Sequence, residues 1–139
     1  MSFKQSGQSM YSSTTHNVTV SVNPVYLDGE SVPDKSIFVW AYTVKIENKG
    51  TESLQLRTRH WKITDALGRV QEVRGPGVVG EQPLLNPGES FEYTSGTPLS
   101  TPSGIMMGSY AMETADGRMV DIDIPAFSLD APDTPRQIN

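Results

Sequence analysis

Three glycines at positions 75, 77 and 80, in the run GPGVVG, have the spacing by which a dinucleotide-binding loop brings backbone amides up to a pyrophosphate. With Arg74 beside them, Gly75, Gly77 and Gly80 could line a concave nest of amides for phosphate or pyrophosphate. Such a loop binds nucleotides when a strand enters it and a helix leaves it, because the helix supplies free amides and the positive end of its dipole. Here Pro83 and the run Asn86-Pro87-Gly88 interrupt the chain soon after Gly80, so no helix of useful length is predicted. No Gly-Lys-Ser/Thr closes a P-loop either. The simpler role for these glycines is backbone freedom, in a long connection that must adopt positive φ between two layers of sheet.

Other chemistry is thinner. Asp121 and Asp123 fall on one face of a single strand, and Asp28, Glu30 and Asp34 crowd one loop. Hard cations take carboxylate oxygens, so Asp121 and Asp123 are the weak candidates for a Mg²⁺ or Co²⁺ contact; their plainer role is a solvated strand face. His16 and His60 lie on different segments without ligand spacing, and the chain has no cysteine, which removes thiolate sites and disulfides. Serines are numerous, yet there is no nucleophile elbow and no Ser/His/Asp arrangement that the strand pattern would assemble. The chain is therefore expected not to be an enzyme and to need no cofactor.

The 139 residues carry 11 basic and 16 acidic side chains, a net charge of −5, which gives no general attraction to nucleic acid. The early residues lack the charged start and apolar centre of a secretory signal, and no apolar run approaches the roughly 20 residues of a membrane helix. A cytoplasmic address without membrane insertion is the expectation.

The elements that must position these residues are strands. In SIFVWAYTVKIENKG, Phe38, Trp40, Tyr42, Val44 and Ile46 share one face while Val39, Ala41, Thr43, Lys45 and Glu47 share the other, a period of two that a helix would scatter. NVTVSVN alternates likewise through Val18, Val20 and Val22. LQLRTRHWKITDALGRVQEV reads as a strand, a turn near Ala66-Leu67-Gly68 and a return strand; ESFEYTSG adds Phe91 and Tyr93. Met106, Tyr110 and Met112, then Asp116-Gly117, then Val120, Ile122 and Ile124 form the clearest hairpin. About seven antiparallel strands and no convincing helix predict an all-β, immunoglobulin- or fibronectin type III-like sandwich, with a small closed barrel as the alternative. Residues 1–16, rich in Ser, Thr and Gln, are expected to be a flexible arm, residues 17–130 the domain, and residues 131–139 a flexible tail.

Val78, Val79, Leu84 and Leu85 lie in or beside the glycine connection, where burial is not assured. They either plug one end of the sandwich or form an apolar patch for a protein partner.

The run RHWKITDALGRVQEVRGPGVVGEQPLLNPGESFEYTSGTPLSTPSGIMMGSYAM resembles the ApaG family, through the tryptophan strand, GPGVVGEQP, the PGE turn and the YTSG segment; the similarity spans about residues 17 to 130. The resemblance implies a fibronectin-type sandwich. It further implies an association with cobalt resistance and magnesium efflux and, from related domains in eukaryotic proteins, a role as a protein-binding module. A small anion or a divalent cation is the secondary class of ligand.

Overall fold

The alternation in SIFVWAYTVKIENKG becomes strand β3, Phe38–Asn48, with every second side chain from Phe38 to Asn48 buried. The computed structural model describes residues 10–132. The other strands are β1 Tyr11–Thr15, β2 Val18–Tyr26, β4 Leu54–Asp65, β5 Val70–Pro76, β6 Leu84–Leu85, β7 Ser90–Leu99, β8 Ser103–Thr114 and β9 Met119–Asp130. Helical structure among the described residues is limited to single 3₁₀ turns at Asp28–Glu30 and Pro33–Lys35. No helix among them is long and apolar enough to cross a membrane.

Two antiparallel sheets pack face to face, one ordered β1-β2-β3-β7 and the other β5-β4-β8-β9, with β6 joined to the start of β4 on the β5 side. The all-β sandwich is thus the architecture, and the closed barrel is not. The inner faces meet in one core: Val18, Val20, Val22, Trp40, Val44 and Ile46 from one sheet against Leu56, Met106, Met112, Ile122, Phe127 and Leu129 from the other. Tyr42, Trp61 and Phe127 stack edge-on or tilted at 5.3–5.9 Å between ring centroids, a geometry the ring quadrupoles favour. The hairpin at Asp116-Gly117 forms as its turn chemistry requires, with Gly117 at φ 86.

The seven anticipated strands are β2, β3, β4, β5, β7, β8 and β9; β1 and β6 are additional. β1 corrects the expectation of a loose arm across residues 1–16, because Tyr11–Thr15 pair with Val18–Val22. His16 and Asn17, both at positive φ, make the tight two-residue turn that aligns the strands. Tyr11 then packs on Phe127, and the Thr14 and Thr19 hydroxyls bond at 2.8 Å, so this polar segment gains what its composition alone does not offer. Ala131, assigned to the tail, donates its amide to Pro102 O at 2.8 Å; residues 1–9 and 133–139 lie outside the described part.

One end of the sandwich is tied by Asn48, a buried polar residue. Its Nδ2 donates to Glu52 O at 2.7 Å and Leu85 O at 2.9 Å, and its Oδ1 accepts from Gly50 N at 3.0 Å. Those bonds fix β6 and the β3–β4 turn to β3, and they satisfy an amide that burial would otherwise penalise.

Candidate functional site

The two long sides of the sandwich differ. On one, β1 and β9 meet: Ser13 Oγ donates to Asp123 O at 3.3 Å, and Asp123 N donates to Thr15 Oγ1 at 3.2 Å. On the other, no strand among the described residues pairs with the outer edge of β7. A cavity of about 390 Å³ opens there, between Tyr42, Tyr93 and Ser95 of one sheet and Arg59 and Trp61 of the other, roofed by the connection from Pro76 to Gly80.

The glycine segment supplies that roof. β5 ends at Pro76; Gly77 N donates to Arg57 O, and Val78 and Glu81 exchange two amide–carbonyl bonds of 2.8 Å. Val79 and Gly80, at φ 44 and 81, are the two central residues of a type I′ turn, and no helix follows. Each glycine has a separate duty. A Cβ on Gly75 would press on the Arg59 guanidinium at 3.1 Å, one on Gly77 would lie 2.3 Å from Glu81 O, and Gly80 stands in open space with a positive φ. The amides of Gly77, Val78 and Glu81 already serve carbonyls, so the concave nest of free amides expected for pyrophosphate does not form across them. Arg74 is set apart as well: it pairs in register with His60 on the outer face, and its Nη2 sits 3.5 Å from Glu72.

The cation that does reach the cavity is Arg59, which reading the sequence missed. Leu54 and Leu56 point inward, and the bulge between Leu56 and Thr58 shifts the alternation by one, so Arg59, Trp61 and Ile63 take the inner face. Arg59 lies between Gly75 of β5 and Tyr110 of β8. Its Nη1 donates to Pro76 O and Gly77 O, each at 2.9 Å. The guanidinium is thereby held flat against β5, over the one residue there whose missing side chain makes room.

The tyrosines beneath it are neutral hydroxyls. Burial pushes Tyr42 above the ordinary value, opposed by the neighbouring Ser95 hydroxyl and by the charge of Arg59. Burial raises Tyr93 and Tyr110 further, and the two hydroxyls bond each other. The charge of Arg59 opposes that rise weakly at all three. Such hydroxyls donate hydrogen bonds at neutral pH but do not act as bases.

Of the apolar candidates, Val78 and Leu85 are corrected from partner contacts to core, 1% and 3% exposed. Val78 turns inward as the turn closes, and Leu85 is drawn in by pairing with Leu54. Val79 and Leu84, each 55% exposed, remain at the surface. Asp121 and Asp123 stand on the outer face of β9, opposite Ala111 and Ser109, and among the described residues no three His, Cys, Asp or Glu side chains converge for a metal ion. The sheet register does set Ser109 beside His60, a juxtaposition the strand pattern had not suggested; His60 Nε2 bonds Glu72 Oε1 at 2.8 Å and draws that carboxyl below its usual range. Ser109 sits on β8, between β4 and β9.

This architecture has close counterparts. The ApaG domain model matches residues 28–114. Protein ApaG of Parvibaculum lavamentivorans is 62% identical over 130 residues, covering 94% of this chain and all of its own, and Protein ApaG of Rhodospirillum centenum is 66% identical over 123 residues, covering 88% and 95%. The crystal structure of a Bordetella pertussis protein described as ApaA superposes with a TM-score of 0.82 at 50% identity, covering 87% of this chain and 98% of that one. The chain belongs to the ApaG family.

Proposed function

We propose that this ApaG-family chain is a non-enzymatic, cytoplasmic protein-binding module, and that its contact surface is the open side of the sandwich: the free edge of β7, the Val78–Glu81 turn and the cavity between them. The observation that carries the reading is Val79. A β-branched residue held at φ 44 costs on the order of 1–2 kcal/mol, and with the side chain 55% exposed the folded chain recovers little of it by burial. Asn would form the same turn with less strain. Strain and exposure together, on the lip of a cavity, are what contact with a second protein would explain. On this reading, the cobalt resistance and magnesium efflux associated with the family follow from gripping a transporter or regulator.

Replacing Val79 with Asn tests the proposal, because stability and binding should move in opposite directions. Val79→Asn raises the urea midpoint while cutting recovery of partners co-purified from the native cell. Unchanged recovery would remove the turn from the contact surface. Pyrophosphate on a loop amide is the rival reading; a shift of the residue 74–81 amide signals at millimolar pyrophosphate would favour it.

A further inference from the structure

We propose that the partner presents an extended acidic segment, which adds to the edge of β7 as a further strand and places one carboxylate in the cavity against the Arg59 guanidinium. This rests on the reading of the open side as a protein-binding surface and names the chemistry that side would select.

Charge is the first argument. Among the described residues Arg59 is the one charged side chain lining the cavity, and no acidic side chain joins it there. Among the described residues the other arginines have carboxylate partners: Arg57 with Glu113, Arg69 with Asp65, Arg74 with Glu72, Arg118 with Glu52. Arg59 has only carbonyls, those of Pro76 and Gly77, and both are taken by Nη1. A guanidinium carries five N–H donors in a planar fork that fits a carboxylate with two parallel bonds. A half-buried cation, pre-oriented and without a counter-charge, is a socket for an anion.

Geometry then selects an anion carried on an extended chain. β7 runs for ten residues from Ser90 to Leu99 and, among the described residues, pairs with β3 on one side only. Glu92 is its one charged residue, so little charge guards the edge against another strand. A peptide added there would make main-chain hydrogen bonds and turn alternate side chains toward the cavity mouth. The rings of Tyr42, Trp61 and Tyr93 are buried, 3–6% exposed, and only floor the cavity, so what favours a peptide over a free inorganic anion is the main-chain pairing along β7.

Selection from a random displayed-peptide library on the full chain tests the inference. Enriched sequences should carry Asp or Glu at one fixed position within an alternating, β-branched stretch. A synthetic peptide of the enriched sequence should shift the β7 amide signals, and changing its acid to the amide should weaken it about tenfold or more. Arg59→Gln should cause a similar loss and abolish the preference for acid over amide. Gly75→Ala keeps the charge but pushes the guanidinium aside, and should weaken the peptide in the same direction with the fold intact. Enriched peptides without a fixed acid, equal binding to Arg59→Gln, or no enrichment at all would overturn it. The first two would leave the protein-binding reading standing, since Val79→Asn would still weaken those peptides. Competition by inorganic phosphate without any peptide preference would instead assign Arg59 to a small anion and likewise overturn it.

Discussion

Gly77 and Gly80 share a motif and a positive φ, yet replacing each with Ala should have very different consequences. At Gly80, φ 81, the new methyl meets nothing within 4 Å, so the cost is the left-handed backbone alone, roughly 1 kcal/mol, partly offset by the stiffer unfolded chain. At Gly77, φ 63, the same backbone term applies, but the methyl would also sit 2.3 Å from Glu81 O and 3.1 Å from its carbonyl carbon. That oxygen accepts the Val78 amide at 2.8 Å, and the obstacle is backbone, which cannot swing aside as a side-chain tip would. Relief requires opening the turn, losing a hydrogen bond of about 1 kcal/mol and loosening Val78, which is 1% exposed. The total for Gly77→Ala is about 3 kcal/mol, against less than about 1 kcal/mol for Gly80→Ala. Urea denaturation followed by tryptophan fluorescence measures both, with equal slopes confirming that the midpoint shift reports stability. Equal losses at the two positions would refute the reasoning, because they would mean that the close approach to Glu81 does not exist in solution.

Three further outcomes come from neighbouring parts of the same end. Val78→Ala should cost about 2 kcal/mol by emptying a core position, whereas Val79→Ala should change stability by less than about 0.5 kcal/mol; thermal melts compare them. Asn48→Ala should cost about 2–3 kcal/mol, since Leu85 O and Gly50 N lose their buried partner, and hydrogen exchange should quicken first at β6. For the tyrosines the sign runs against high pH: burial raises Tyr42, Tyr93 and Tyr110 in the folded state, so the folded chain holds protons that the unfolded chain releases above about pH 10, and stability falls there by at most about 1.4 kcal/mol per pH unit for each of the strongly shifted Tyr93 and Tyr110. Denaturant midpoints measured from pH 9 to 12 should show that slope, and Tyr93→Phe should make it shallower.

What could be read from the sequence, and what could not, divides along one physical line. Period-two alternation reports which face of a strand meets the core, so β2 through Val22, β3, β8 and β9 through Ile124 were legible, and the same period brought Tyr42 and Tyr93 to the inner face, whereas the register shift after Ile124 turns Phe127 and Leu129 inward unannounced. It carries no information about register. The bulge at Arg57 is therefore silent in the string LQLRTRHWKI, and only the ladder reveals that Arg59 follows Trp61 inward while Arg74, the cation adjacent to the glycines, turns outward to Glu72. β1 was illegible for a related reason: Ser and Thr bury little on their own, and the strand exists because the His16–Asn17 turn returns it to β2 and Tyr11 finds Phe127 more than a hundred residues away. The glycines mark the limit of motif reading most directly. Their spacing matches a phosphate loop, but the property shared with such loops is close backbone approach, and here what approaches Gly75 is a guanidinium. A glycine that admits a cation and a glycine that admits a phosphate look alike in sequence, but the second meets an anion with its own amides, whereas the first only makes room for a side chain that can. In this chain the room at Gly75 lets Arg59 lie at the cavity, beside an edge of β7 that no strand among the described residues pairs with, and that placement is what the proposed contact depends on.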